Sequence, residues 1–496
     1  MRVHALSLAV IATFAAAGPA QTAPLQSDRV PHSLRSGAHD NPSGAPLLVF
    51  EQLVSVSGAP WLRLADLRAE LPGSSYLEVV ALRDGHRQRL DAGALRAWRE
   101  SSAYFNGDAV YVRLFAGPWT AGVSLVATAV EAGVADPEGE DSICGASDDR
   151  TASTDARVAR VVPIGCTAWL IDDTNCLVSA GHCCGGGGFS TAQFNVPPST
   201  AGGSLQHPPP QDQYPVDSAS RRFANAGQGN DWCVFKTLPN SGTGQEAGQR
   251  QGAFFALTAG LPGVGTTTRI TGFGTSAIGR LNQAQSTHTG PLQTAGTRLC
   301  YAVDTTGGNS GSPVIDALGR AAGVHTHGGC SVFGGCNSGT SRTLSAFATA
   351  IDDCLAGGGG GGGCAFVAAA AAARAPADSR SLGYRFRDEV MQPTPRGREY
   401  VGLYYRTSPE IVDLLRQDPL LLARAGLLLS RLLPVMRERL DFGVAALPVR
   451  DLRELDALLA LLAGRGSDAL HTSLSWLRAD LRAPESLASL GLDVGR

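Results

Sequence analysis

The chain has 496 residues, with 41 Lys and Arg against 44 Asp and Glu, and a formal net charge of −3 at pH 7. This length has room for about three domains. The balanced charge gives no indication of binding to nucleic acid or of attraction to a membrane surface. The 11 cysteines favour an oxidising compartment, and their odd number leaves at least one of them unpaired or joined to another chain.

The N-terminus has the pattern of a secretory signal peptide. The charged start Met-Arg-Val-His precedes a short apolar run and then Gly-Pro-Ala, which ends at Ala20. The apolar run is too short to span a membrane comfortably. We predict a signal peptide over residues 1–20, a linker over residues 21–45, and a protein that is secreted or associated with the cell envelope.

Residues 46–150 have the pattern of a β-rich module. Short apolar stretches alternate partly with polar residues: 76–82, 109–114 and 123–130. Asp-Gly at 84–85 and Asn-Gly-Asp at 106–108 are turn signals between these stretches. We predict a β-sandwich-like module with one short helix at 90–99. The sequence leaves open whether this module is a propeptide, a substrate-binding module or a structural cap.

Three segments further along supply the residue types of nucleophilic catalysis. Ser-Ala-Gly-His-Cys-Cys contains His182, Asn-Asp-Trp-Cys-Val-Phe contains Asp231, and Gly-Asn-Ser-Gly-Ser-Pro contains Ser310. A serine hydroxyl is a weak nucleophile unless an adjacent base removes its proton. We predict that His182 is this base and later the acid, and that Asp231 fixes the tautomer of its ring.

The order and spacing of these three residues resemble those of the chymotrypsin-like serine proteases. The resemblance implies an all-β double β-barrel over residues 151–355, with the three groups across one cleft. It implies hydrolysis of protein or peptide substrates through an acyl-enzyme on Ser310. The backbone amides of Gly308 and Ser310 are expected to stabilise the oxyanion. The alternative is a non-catalytic surface or binding protein that has kept this scaffold.

The residues around Ser310 carry a finer resemblance. Thr-Thr-Gly-Gly-Asn-Ser-Gly-Ser-Pro-Val, followed by Gly-Val-His, is similar to the bacterial glutamyl endopeptidases. In that family a threonine and a histidine at these offsets line the primary specificity pocket and receive a carboxylate, which implies Thr305 and His325 here. We therefore predict a preference for Glu or Asp before the cleaved bond. A hydrogen-bonded strand histidine remains the other interpretation of His325.

Asp304 indicates the opposite charge preference. It lies six residues before Ser310, where trypsin has the aspartate that selects Lys and Arg. A carboxylate in a dry pocket attracts a cation strongly. A preference for Lys or Arg through Asp304 is therefore the alternative specificity.

The cysteines near His182 allow two interpretations. The resemblance implies a disulfide between Cys166 and Cys183 that closes the loop beneath the histidine, with Cys184 as a rival partner. His-Cys-Cys and His-Thr-His-Gly-Gly-Cys also offer metal-ligand atoms, but their spacing matches no common zinc module. We predict no metal and no cofactor.

A heptaglycine tract divides the protease region from the rest of the chain, and we predict a flexible linker over residues 356–363. After it come Cys-Ala-Phe-Val, Arg-Phe-Arg-Asp, Gly-Arg, Tyr-Tyr and Ser-Pro, in this order. This order looks like the CFI-box C-terminal domain of bacterial exported proteins, although Cys-Ala-Phe stands where that family has Cys-Phe-Ile. The resemblance implies export or surface association, with Cys364 as the candidate for attachment or processing. A buried or disulfide-bonded cysteine is the other interpretation of Cys364.

The remaining segment has the leucine spacing of helices. We predict helices at 411–416, 420–433 and 452–462, the second ended by Pro434, and a mainly helical domain over 364–496. Its arginines are expected on a solvated face and not in a nucleic-acid site. A rival function places the main activity of the chain here, as a surface anchor.

Overall fold

The computed structural model describes residues 19–495, except 136–138, 140, 186–187, 356–364, 374–378 and 392. Most of the predicted signal peptide lies outside the described residues, as do the predicted glycine linker and Cys364. The chain divides after Leu355 into two units.

The first unit begins with a two-sheet module. Its strands and helix are β1 (Gln26–Asn41), β2 (Leu47–Ser55), β3 (Trp61–Ala65), β4 (Arg68–Glu70), β5 (Tyr76–Ala81), β6 (Arg87–Leu90), α1 (Ala92–Ala97), β7 (Phe105–Asn106), β8 (Ala109–Ala116) and β9 (Thr120–Ala135). One sheet has the order β1-β9-β3-β7 with β4 beside β9, and the other has the order β2-β8-β5-β6. Buried side chains of both sheets, such as Leu64 and Val112, share one apolar core. The predicted β-sandwich-like module and short helix are present.

Strand β1 lies within the segment 21–45 that the sequence predicts as a linker. It pairs with β9 along most of its length, from Gln26 opposite Ala135 to Asn41 opposite Thr120. Most of its side chains are exposed, and Leu34 is its one fully buried apolar residue. A strand held chiefly by backbone hydrogen bonds at a sheet edge has no apolar alternation, so no local pattern predicted it.

The rest of the first unit contains two closed six-stranded barrels. Its strands and helices are β10 (Asp141–Ser142), β11 (Thr151–Ala152), β12 (Val158–Val162), β13 (Cys166–Leu170), β14 (Cys176–Ser179), α2 (Gly181–Cys184), β15 (Thr191–Gln193), β16 (Gln213–Asn225), β17 (Asp231–Thr237), α3 (Ala247–Gln251), β18 (Thr267–Gly272), β19 (Ser286–Thr294), β20 (Arg298–Tyr301), β21 (Thr305–Thr306), β22 (Pro313–Ile315), β23 (Ala321–His327), β24 (Cys330–Ser331), β25 (Gly334–Gly335), β26 (Asn337–Ser341) and α4 (Ser345–Leu355). The first barrel has the order β12-β13-β14-β17-β16-β15. The second runs β19-β18-β22-β23-β26-β20 and closes through the pairing of β20 with β19. The predicted double-barrel fold is confirmed.

Five disulfides join elements of this unit: Cys144–Cys330, Cys166–Cys183, Cys176–Cys354, Cys184–Cys233 and Cys300–Cys336. Cys183 therefore pairs with Cys166, and its neighbour Cys184 pairs across to β17. The sulfur atoms that the sequence also offered as metal ligands are used in these bonds.

The second unit is mainly helical, as predicted. Its elements are α5 (Ala365–Ala372), α6 (Ser379–Arg385), a π-helical turn (Phe386–Met391), α7 (Pro395–Gln417), α8 (Pro419–Phe442), β27 (Ala445–Pro448), α9 (Val449–Ala463), α10 (Asp468–Leu481), α11 (Pro484–Ala488) and β28 (Leu492–Gly495). The prediction that Pro434 ends a helix is wrong, because α8 continues through it to Phe442. Pro434 lacks the backbone N–H that would complete one helical hydrogen bond. The packing of the helix compensates for this loss of stability, since Leu429 and Leu433 just before the proline lie in the core of the unit.

Helix α8 is long and apolar enough by composition to cross a membrane. Several of its side chains, among them Leu421 and Leu428, are nevertheless buried against the other helices of the unit. This burial is also what a core helix of a water-soluble bundle shows.

Candidate active site

His182 and Asp231 are held together by two hydrogen bonds. His182 lies in the short helix α2 directly after β14, and Asp231 is the first residue of β17, which pairs with β14. The His182 backbone N–H donates to Asp231 Oδ1 at 3.0 Å, and Nδ1 lies 2.6 Å from Oδ2. Asp231 is fully buried, and its own N–H donates to Thr340 Oγ1. The carboxylate therefore fixes the imidazole with Nδ1 protonated and Nε2 free to accept a proton.

Ser310 lies in the loop between β21 and β22 and is fully buried. Its Oγ donates to the carbonyl oxygen of Thr326 at 3.1 Å and accepts from the backbone N–H of Gln21 at 2.9 Å. Nε2 of His182 is buried without a hydrogen-bond partner among the described residues. The structure thus joins His182 to Asp231 directly, while the Ser310 hydroxyl bonds to groups other than the histidine.

The backbone amides that the sequence assigns to the oxyanion converge on one point. Gly308 N–H and Ser310 N–H donate to the same oxygen, the carbonyl of Gln21, at 2.7 and 3.1 Å. Gly308 has a φ of +101°, and a Cβ there would clash with the carbonyl oxygen of Phe273. Only glycine allows this turn, which aims the two amides at a carbonyl oxygen in the cleft.

A buried arginine supports the Ser310 loop. Arg150 donates to Thr306 Oγ1 at 2.7 Å and to Asn309 Oδ1 at 3.4 Å, and it forms a salt bridge with Asp148. Asn309 Oδ1 also accepts from the backbone N–H of Thr306. This network fixes the backbone on which the two oxyanion amides lie. No local pattern predicts this role of Arg150, because it depends on a contact between segments far apart in the chain.

His325 is a fully buried residue of β23 whose carbonyl oxygen accepts from the N–H of Gly311, next to Ser310. Its Nδ1 is 2.6 Å from the Tyr301 hydroxyl, and its Nε2 is 2.5 Å from Oε1 of Gln21. Burial, and then the neighbouring His327 and His182, lower the pKa of His325 to about 3. The ring is therefore neutral at pH 7. Because Oε1 can only accept, Nε2–H donates to it and Nδ1 accepts from Tyr301.

The other two predicted pocket residues lie nearby in different environments. The buried Asp304 carboxylate accepts from the backbone N–H groups of Cys144 and Asp149 at 2.7 and 2.9 Å, and lies 3.4 Å from His288 Nδ1. Thr305 is buried in β21, and its Oγ1 has no hydrogen-bond partner among the described residues. Of the three predicted pocket residues, His325 forms a hydrogen bond with the side chain of Gln21. Within the described part of the chain, neither Asp304 nor Thr305 forms a hydrogen bond with the Gln21 side chain.

A second histidine, His327, was also missed by sequence analysis. Its Nδ1 lies 3.9 Å from Asp231 Oδ2, and its ring is 5.8 Å from that of His182. Burial lowers the pKa of His327, against the opposing effect of Asp231. The motif His-Thr-His in the sequence was the available signal, since alternate residues of a strand point to the same face.

A family match covers the two-barrel region, since residues 143–351 match the family model described as Trypsin. Among solved structures, a Glu endopeptidase complex is 21% identical, covers 43% of this chain and 99% of its own, and has a TM-score of 0.34. A thermostable serine protease from an extremophilic microorganism is 13% identical, with coverage of 40% and 98% and a TM-score of 0.31. A human heparin-binding protein mutant is 17% identical, with coverage of 43% and 98% and a TM-score of 0.32. No curated protein matches the chain.

Proposed function

We propose that this chain, which carries a trypsin-family serine protease domain, is an exported endopeptidase with His182, Asp231 and Ser310 as its catalytic residues. The observation that supports this most is the convergence of the Gly308 and Ser310 amides on one carbonyl oxygen next to the Ser310 hydroxyl. Two preorganised donors at this point are worth several kcal/mol in the transition state of acyl transfer.

The reaction proceeds in two steps. Ser310 Oγ attacks the carbonyl carbon of the substrate peptide bond, and His182 Nε2 takes the proton and gives it to the leaving amine. Water then attacks the resulting ester, with His182 as the base, and releases the acid product. Asp231 stabilises the imidazolium that forms in both steps.

We propose a preference for a side chain of glutamate-like length and polarity before the cleaved bond. His325 and the Tyr301 hydroxyl behind it present one N–H to the pocket, which suits a carboxylate or carboxamide oxygen. A bound carboxylate would also raise the pKa of the neutral His325 ring and favour its protonation. The alternative preference for Lys or Arg is disfavoured because the Asp304 carboxylate already accepts from two backbone N–H groups.

The test is digestion of a mixed peptide library by the wild type and two serine variants, with cut sites read by mass spectrometry. Ser310→Ala should lose all cleavage. Ser312→Ala is the matched control, since Ser312 is a buried serine of the same loop whose Oγ has no partner among the described residues, and it should cleave at near the wild-type rate. Cuts after Glu or Gln support His325 as the selector, and cuts after Lys or Arg would give that role to Asp304. Equal cleavage by Ser310→Ala and the wild type would refute the proposed nucleophile.

The proposal includes export and a surface role for the C-terminal helical unit. The five disulfides are consistent with an oxidising compartment. All the site residues and their partners named above lie before residue 356, so a chain that ends at Leu355 should keep its hydrolysis rate. If the helical unit provides surface association, the shortened chain moves from the cell-bound fraction to the medium. An unchanged distribution would exclude that role.

A further inference from the structure

Residues 19–25 of the chain lie in the catalytic cleft, in contact with the oxyanion amides, Ser310 and His325. We propose that this segment is an intramolecular occupant that blocks the site in the manner of a bound peptide, with Gln21 in the primary pocket. The inference rests on the proposed function, because it takes the cleft to be the place where substrates bind.

Gln21 makes the central contacts. Its carbonyl oxygen accepts from the two oxyanion amides, its N–H donates to Ser310 Oγ, and its side chain reaches His325. The residue is 1% exposed. A Cβ on Gly328 would stand 3.1 Å from Gln21 Nε2, so the pocket wall fits closely around the carboxamide.

The backbone before Gln21 is also held. Gly328 N–H donates to the carbonyl oxygen of Pro19 at 3.1 Å, and Ala20 forms an antiparallel bridge with His327 at the end of β23. These contacts extend the second barrel by a short piece of added strand. Main-chain bonding of this kind binds an extended peptide whatever its side chains, while the pocket selects one of them.

The backbone after Gln21 is fixed by the first barrel and by Gln283. Ala23 N–H donates to Gly165 O at 2.9 Å, Gln283 Nε2 donates to Ala23 O at 3.0 Å, and Leu25 N–H donates to Pro163 O at 2.8 Å. The Leu25 side chain then packs in a small apolar cluster: Trp61, Tyr104, Val162 and Leu205. The segment is therefore attached on both sides of the Gln21–Thr22 bond.

Glycines in the wall of the cleft make room for the segment. A Cβ on Gly165 would clash with Ala23 O, and a Cβ on Gly307 would lie 2.8 Å from Thr22 O. Contacts this close require a bare backbone. The segment continues directly into β1, so the N-terminal module holds it at high effective concentration beside the cleft.

The state of the catalytic groups agrees with a blocked site. The Ser310 hydroxyl donates to Thr326 O, and His182 Nε2 has no hydrogen-bond partner in the described part of the chain. With the oxyanion amides occupied by Gln21, an incoming substrate has neither the pocket nor the oxyanion site. Release of the segment frees both at once.

The experiment compares full-length wild type with Gln21→Ala and with Gln26→Ala. Gln26 is the control, since it is a nearby glutamine at the start of β1 whose exposed side chain donates to the Pro24 carbonyl oxygen and makes none of the Gln21 contacts. We expect Gln21→Ala to raise the rate of Ser310 labelling by a fluorophosphonate about tenfold or more, because it removes a buried hydrogen bond and empties the pocket. Gln26→Ala should label at the wild-type rate.

A second readout needs no catalysis. A fluorescent peptide of residues 19–25 is titrated into the Ser310→Ala chain and into the same chain with Gln21→Ala or Gln26→Ala added, and its anisotropy gives Kd. The chain with Gln21→Ala should bind the peptide about tenfold more tightly, because the intramolecular competitor is weakened. The N-terminus of each chain is read by mass spectrometry before both assays.

Equal labelling rates and equal peptide affinities in the three chains would overturn the proposal. A Ser310→Ala chain isolated without Gln21 would overturn it too, since no occupant would remain. A chain that begins at Gln21, as removal of the predicted signal peptide over residues 1–20 would leave it, still holds this residue and is suitable for both assays. Cleavage between Gln21 and Thr22 that occurs in the wild type and not in Ser310→Ala would support it, because the bond must lie at Ser310 to be cut. If the peptide affinities differ as expected but the fluorophosphonate labels no chain, the proposal that residues 19–25 occupy the site is supported and the proposed catalysis by Ser310 is refuted.

Discussion

The hydroxyl of Tyr301 lies 2.6 Å from Nδ1 of His325, and both side chains are fully buried. Tyr301 lies on β20 and His325 on β23, two strands that each pair with β26. The hydroxyl therefore fixes both the ring orientation and the tautomer that presents Nε2–H to the pocket. Burial raises the pKa of Tyr301, so the hydroxyl remains a donor at all ordinary pH values.

Replacing Tyr301 by Phe removes this donor and leaves His325 free to adopt the other tautomer. We expect kcat/KM for substrates with Glu or Gln before the cleaved bond to fall about tenfold, the usual effect of losing one buried hydrogen bond. The loss should be mainly in KM. Labelling of Ser310 by a small fluorophosphonate, which does not use the pocket, is the control and should be unchanged. An equal loss in both assays would show a general disturbance of the site.

The lowered pKa of His325 makes stability depend on pH in a defined window. Its ordinary pKa is 6.5 and its folded value is about 3, so between these values the unfolded chain binds a proton that the folded chain does not. Stability is therefore fully present above pH 6.5 and is lost as the pH falls toward 3, by at most about 1.4 kcal/mol per pH unit for this group.

The measurement is the Tm of Ser310→Ala chains between pH 7.5 and 4.5, with and without His325→Gln. The Ser310→Ala background prevents self-digestion. The variant should lose less stability on acidification than its parent. Identical slopes would mean that His325 is not held neutral in the folded protein.

Arg150 and Arg157 give a matched pair of substitutions. Each forms a salt bridge with an aspartate two residues before it, but Arg150 is more deeply buried and its other hydrogen bonds support the Ser310 loop. Arg150→Ala should cost about 3 kcal/mol of unfolding free energy, since it strands buried acceptors. It should also lower kcat by disordering the oxyanion amides, whereas Arg157→Ala should leave kcat near the wild-type value. Equal kcat in the two variants would refute this support.

The disulfides differ in the length of chain that they close. Cys176–Cys354 spans 178 residues and ties helix α4 to the first barrel, while Cys300–Cys336 spans 36. Removing the first by double Ala substitution should lower the unfolding free energy by about 4–5 kcal/mol, and removing the second by about 1 kcal/mol less. Chemical denaturation of the two variants, each with Ser310→Ala, would measure this. The reverse order would show that local packing outweighs loop closure.

Much of the site could be predicted from local sequence. The short motifs around His182, Asp231 and Ser310 singled out these residues, and the structure joins the first two by hydrogen bonds. Gly308 was also recognisable from the sequence, since a sharp turn beside the predicted nucleophile requires a positive φ, which glycine adopts most readily. Leucine spacing predicted stretches that lie within three helices of the C-terminal unit, α7, α8 and α9.

Other features were decided by contacts between distant segments. The sequence favoured His325 for the pocket and left Asp304 as the alternative, and it could not show that the Asp304 carboxylate accepts from the backbone amides of Cys144 and Asp149. Strand β1 has no apolar pattern of its own, and it exists because β9 offers it hydrogen bonds. The hydrogen bond from the Gln21 N–H to Ser310 Oγ joins residues that lie 289 positions apart in the chain. Local sequence dictates the residue types and their turns. Which buried groups face each other depends on the tertiary contacts, because burial and pairing involve parts of the chain that local patterns do not include.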